Sequence, residues 1–142
     1  MPNQTLAAIA LLGSMFLGAA APAAAHHSFA AEFDINQPVQ LRGEVIRMVL
    51  TNPHSWIYLR VTTESGEVQE WAIEGGAPNA LIRRGWNRNS LPAGTEVTVL
   101  GYRSRDGELR ANGASVTLPD GSTLNVTSAG IGAPSAEGAA EQ

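Results

Sequence analysis

The sequence has no cysteine and no lysine. The first absence excludes disulfides, thiolate metal sites, cysteine nucleophiles and a cysteine-linked lipid anchor. The second leaves arginine as the only strongly basic side chain, and the basic residues are outnumbered 9 to 13 by acidic ones. A net charge of −4 argues against nonspecific nucleic-acid binding, which needs a cationic field to release counterions. The familiar fingerprints of catalysis are also missing. There is no phosphate-binding glycine loop, no dinucleotide motif and no His-Glu-x-x-His helix. Charged side chains are absent from residues 1–25. Beyond that segment no stretch approaches the ~20 apolar residues a membrane-spanning helix requires. The 142 residues have room for one domain.

The uncharged start reads as a cleavable signal peptide over residues 1–25. Leu6 to Leu17 supplies an apolar h-region, Gly18 and Pro22 break it, and Ala23-Ala24-Ala25 offers the small residues that a signal peptidase needs. The n-region departs from the usual pattern, since it contains neither Lys nor Arg. Export places the protein in the periplasm or outside the cell, with no membrane span left after cleavage. Residues 26–37 lack a clear period and read as an N-terminal arm, docked through Phe29 and Phe33. At the other end, residues 128–142 are almost all Ala, Gly, Ser, Glu and Pro. They have too few large apolar groups to offset their ordering entropy, and read as a disordered tail.

Between arm and tail, residues 38–127 carry strand chemistry. Val39, Leu41, Val45 and Val49 share one parity, while Ile46, Met48 and Leu50 take the other in the second half. A strand that changes its buried face is long and bent, and Gly43 sits where the bend is expected. Asn52-Pro53 stops this strand. Strand two, Ser55 to Thr62, alternates Ile57, Leu59 and Val61 against Trp56, Tyr58 and Arg60. A turn at Glu64-Ser65-Gly66-Glu67 leads to strand three, Val68 to Glu74. Pro78 to Arg84 reads as a short helix with Ala80, Leu81 and Ile82 as its apolar face and Gly85 at its C′ position. Strand four, Glu96 to Tyr102, and strand five, Leu109 to Leu118, form a hairpin around Asp106-Gly107, with a bend expected at Gly113. A short segment, Thr123 to Val126, comes last. The predicted fold class is all-β: a five-stranded OB-like barrel with one short helix between strands three and four.

The histidines suggest chemistry. His26 and His27 directly follow the expected cleavage site, and His54 lies in the turn between strands one and two, a loop that borders the usual OB-fold binding face. Cleavage after Ala25 makes His26 the mature N-terminus. Its α-amine and ring Nδ1 can then chelate one metal, and the His54 ring across the fold completes a set of three nitrogens, the arrangement called a histidine brace. Such a set suits Cu(II) best. His27 can replace either ring. Cleavage after Ala24 instead places His27 third, where the amine, two backbone amides and His27 hold copper without His54. Glu32 and Asp34 are nearby carboxylates that can orient ligands. The competing reading is that the paired histidines are merely solvated and that His54 caps the Asn-Pro turn.

The aromatics offer a metal-free reading. Trp56, Tyr58, Trp71, Glu74 and Trp86 form a candidate ligand face for a small molecule or a protein partner, such as an added peptide strand. Core and barrel-end packing is the plain alternative, with Trp86 plugging one end. The arginines Arg83, Arg84 and Arg88, and Arg103, Arg105 and Arg110, could hold an anion bidentately, but read more simply as a solvated face paired with local acids. Glu70 and Glu74 share one strand face, yet nothing places a substrate between them.

The motifs Ala25-His26-His27-Ser28-Phe29, Asn52-Pro53-His54-Ser55-Trp56, Glu70-Trp71 through Glu74, and Gly85-Trp86 together resemble a family of small exported bacterial proteins grouped as a domain of unknown function. The resemblance runs from the His-His pair to about Leu124. It implies an exported, small, OB-like β-barrel and no particular activity. The expected protein is therefore a periplasmic binding module, binding copper through His26, His27 and His54. The alternative is a metal-free interaction module.

Overall fold

Aliphatic residues at every second position from Ile57 to Val61 produce a strand buried on one face, with Ile57, Leu59 and Val61 turned inward. The same rule builds the rest of the domain. The computed structural model describes residues 29–128. The expected signal peptide, His26 and His27, and the chain beyond residue 128 lie outside the described residues. In chain order the elements are α1 (Phe29–Glu32), β1 (Phe33–Val49), β2 (Ser55–Thr62), β3 (Val68–Gly75), α2 (Pro78–Arg83), β4 (Glu96–Ser104), β5 (Arg110–Thr117) and β6 (Thr123–Asn125). Among the described residues, no helix is long and apolar enough to cross a membrane.

The sheet is mostly antiparallel, in the order β3-β2-β1-β4-β5-β6. A further parallel pairing of β3 with β5 closes the first five strands into a ring. The sheet has six strands rather than the expected five. Pro119 to Ser122 turns the chain back on itself, Leu118 accepts Gly121 N–H and donates to Ser122 O, and β6 pairs with the end of β5 from Thr117↔Thr123 to Ser115↔Asn125.

β1 holds the ring together because it changes partner midway. Its first half pairs with β4 through Glu44↔Glu96, and its second half pairs with β2 from Glu44↔Arg60 onward. Gly43 stands at this hand-over. A Cβ there would lie 2.5 Å from the Arg60 carbonyl oxygen, so only glycine lets β2 approach so closely. The change of buried parity falls slightly later than expected. It coincides with the register shift between Val45 and Arg47, a bulge that inserts one extra residue and reverses the facing of the residues after it. A second register shift lies opposite Gly113, where a Cβ would meet Ile73 and Val126 methyl groups at 2.8 Å.

The start of β1 also differs from expectation. Residues 33–37 continue the first strand instead of belonging to a separate arm, with Phe33 opposite Ser104 and a register shift before Pro38. The run Ile35-Asn36-Gln37, exposed throughout, has no buried-face alternation to reveal this in the sequence.

The ring encloses one apolar core that includes Val45, Leu59, Trp71, Ile73, Val99, Val116 and Val126. α2 caps it, but more narrowly than its sequence suggests. Leu81 is fully buried, while Ile82 is 55% exposed, because six residues present only one side to the sheet. Trp86 follows it into the core at 1% exposure, and its indole N–H donates to Asn125 O at 2.7 Å. Burying a side chain of this kind contributes roughly 2–3 kcal/mol.

Candidate functional site

The second cluster of buried aromatics lies on the outside of the ring. Phe29, Phe33 and Tyr102 pack together, with Phe29 edge-on to Tyr102 at 5.6 Å between ring centres and 5.7 Å from Phe33. Burial pushes the Tyr102 phenol above its ordinary pKa, because the charged form is the costlier one to desolvate.

Arginines from the β4–β5 hairpin tie this arm down. Arg105 Nε donates to Ala30 O at 3.0 Å and to Phe33 O at 3.1 Å, and the Arg105 backbone N–H donates to Glu32 O at 2.9 Å. Arg110 bridges Glu32 at 3.4 Å and Asp106 at 2.8 Å. Asp106 is held below the ordinary carboxylate range by the Ser104 hydroxyl first, then by the Glu108 N–H and by Arg110. Arg105 also pairs with Asp34 at 3.5 Å, so Arg105 and Arg110 are paired with nearby acids, as expected. Arg84 instead donates to Thr127 O, and Arg103 lies over the Trp71 ring.

Beside the docked arm opens a cavity of about 260 Å³. Its wall includes Phe29, Glu32, Phe33 and Arg110 from the arm side. His54 and Trp56 contribute from the β1–β2 turn and β2, and Glu74, Asn112 and Ser128 from the closing seam. The register explains the assembly. Trp56 faces Glu74 across β2–β3, and Glu74 faces Asn112 across β3–β5, so three side chains from three strands share the outer face. Asn112 Nδ2 donates to Ser128 Oγ at 2.7 Å. Ser128 is buried at 4% exposure, so this wall includes the residue next to the expected boundary at 127.

Glu74 points outward, as its parity requires, yet is 7% exposed. His54 Nδ1 lies 3.2 Å from its Oε1. That nitrogen is buried, and the approach is close in distance but off the angle of a hydrogen bond. The structure therefore brings His54, Trp56 and Glu74 together. It separates them from Trp71 and Trp86, which were expected on the same face. Both tryptophans point into the core at 4% and 1% exposure. Trp71 stands opposite Leu59 on the inward parity, and Trp86 is drawn in behind Leu81. Tyr58 shares the outer parity of Trp56 but lies under the Arg47 guanidinium, 3.7 Å from its ring centre, outside the cavity lining. Glu70 is likewise remote, paired loosely with Arg47 at 4.0 Å.

Among the described residues, no three His, Asp or Glu side chains form a group that could hold a metal ion. His54 has one carboxylate neighbour, Glu74. Sequence reasoning missed Asn112 and Ser128 as wall residues, and nothing short of the strand register would have found them.

Fold and cavity define a class: a small β-protein whose first five strands close into a ring, with a half-covered cavity of mixed aromatic and polar lining on its outer face. More particularly, residues 15–114 match the model of a family of unknown function, DUF6152, and the chain belongs to that family. No curated protein and no solved structure matches the chain.

Proposed function

We propose that the protein is an exported, OB-like β-barrel that binds Cu(II) through its mature N-terminus and His54. The OB-like assignment is supported by the closed strand circuit β1-β2-β3-β5-β4 and by a helix between β3 and β4. Export is supported by the uncharged, apolar segment ending in Ala23-Ala24-Ala25.

One observation carries the copper reading: Phe29 lines the same cavity as His54. His26 precedes Phe29 by three residues, and three residues of extended chain span about 10 Å. A terminus at His26 is thus about 10 Å of chain at most from the cavity wall that Phe29 and His54 share, which supports the reading. Its α-amine and ring, with the His54 ring, make a three-nitrogen set that suits Cu(II), and His27 can stand in for either imidazole. All of these donors bind only when unprotonated, so affinity falls as pH falls.

Mass spectrometry of the exported protein fixes the terminus. Copper titration of that form, beside His54→Ala, tests the site. The expected result is one equivalent of tightly bound copper, with affinity at least tenfold lower in the variant. Undiminished affinity in His54→Ala refutes the shared site in favour of binding by the terminus alone, and no tight binding at all refutes the metal reading.

A second reading draws on the cavity's aromatic wall. Phe29, Phe33 and Trp56 border a space that also offers polar groups from Asn112 and Ser128, a lining suited to a small organic molecule without metal. In that case Trp56→Ala abolishes ligand binding while chelators have no effect.

A further inference from the structure

A buried ring nitrogen is a commitment, because a buried polar atom needs a partner. His54 Nδ1 is buried with no aligned hydrogen bond, and the Glu74 carboxylate stands 3.2 Å away. If Nδ1 carried no proton, its lone pair would point at a carboxylate oxygen and repel it. With a proton on Nδ1, a small rotation of the ring gives a charge-assisted hydrogen bond.

The two partners are not equally free to move. Glu74 belongs to a strand held on both sides, opposite Trp56 on one flank and Asn112 on the other, and its side chain is 9% exposed. His54 precedes β2, in the β1–β2 turn, and its side chain is 37% exposed. The fixed carboxylate therefore sets the ring, not the reverse.

We infer that Glu74 is the positioning residue of this cavity: it holds His54 in the tautomer with the proton on Nδ1 and leaves Nε2 as the nitrogen that binds a ligand. The tautomer follows from the contact alone. The identity of the ligand as copper rests on the function proposed above. A carboxylate behind a metal-binding imidazole fixes the ring and raises its basicity, and losing it typically weakens metal binding about 10–100-fold.

The test uses the exported, metal-free chain labelled with nitrogen-15 at histidine. Ring nitrogen spectra at neutral pH distinguish the two tautomers of His54 directly. The wild type is expected in the Nδ1–H form. Glu74→Leu is expected to lose that preference and to bind Cu(II) about 10–100-fold more weakly. Glu74→Gln keeps an acceptor oxygen and is expected to retain the tautomer and recover part of the affinity. A wild-type His54 in the Nε2–H form overturns the inference whatever copper does, and so does an unchanged tautomer in Glu74→Leu. If Glu74→Leu does not fold, the wild-type tautomer and the Glu74→Gln variant decide. Absence of copper binding by a wild type that shows the Nδ1–H tautomer refutes the metal reading and leaves the positioning role of Glu74 supported.

Discussion

The ring has two aromatic regions built on opposite principles. Inside it, Trp71 and Trp86 are buried among aliphatic side chains, and their indole N–H groups donate to Gln69 and Asn125. Outside it, Trp56 is half-buried beside Glu74, with Phe29 and Phe33 across the cavity. Similar side chains serve stability in one region and surround polar groups in the other. Strand parity assigns Trp56 and Trp71 to opposite sides, and the chain after α2 carries Trp86 inward, so residue type alone says little about role.

The sharpest way to break this contrast is to make the same substitution on both sides. Trp86→Ala is expected to destabilise the fold by about 3–5 kcal/mol, the range for emptying a buried aromatic site. Trp56→Ala, half-exposed at the cavity, is expected to cost about 1 kcal/mol. Urea unfolding of both variants measures the difference, and equal losses would show that the outer region is structural core. Next in size is the tether of the arm. Arg105→Ala removes two hydrogen bonds to arm carbonyls from a side chain about half exposed, an expected loss of about 1 kcal/mol. It should also loosen amide exchange protection at Phe29 and Phe33 while leaving β2 and β3 unchanged. Uniform loosening would mean that arm and ring unfold as one unit.

The smallest effects are those of pH. Asp106 is held below its ordinary value of 3.8 chiefly by the Ser104 hydroxyl, and Asp34 chiefly by the Asn36 backbone N–H. Both depressed groups contribute stability that is present above the unfolded value and is lost as pH falls through the lower folded value. Asp106→Asn should flatten the acid limb of thermal stability below about pH 4. At the other extreme, Tyr102 is raised from 10.0 by burial. The unfolded chain ionises first, so stability declines as pH rises past that value, and Tyr102→Phe should remove the decline.

Much of the ring was legible from the chain alone. Alternation in β2, the turns at Gly66 and Gly107, and Pro78 with Gly85 around α2 each follow from local stereochemistry, and each is where expected. The cavity was legible only in part. His54, Trp56 and Glu74 were recognisable as candidates by residue type and parity. Asn112 joins them only through the parallel pairing of β3 with β5, and Arg105 reaches Ala30 across 75 residues. Neither contact leaves a periodic trace in sequence. Parity put Glu74 on one strand face with Glu70, yet its 7% exposure comes from tertiary contacts that parity does not show. Trp71 and Trp86 were grouped with the outer face because they are aromatic, although the inward parity of Trp71 already pointed to the core.

The central claim is that a free terminal amine at His26 and the His54 ring share one copper ion, and it can be tested by blocking that amine. Copper titration should compare a chain beginning at His26 with the same chain acetylated at its terminal amine, the only amine in a sequence without lysine. The account predicts that acetylation lowers affinity by at least tenfold and that His54→Ala then has little further effect. Equal affinity of the two forms would contradict it.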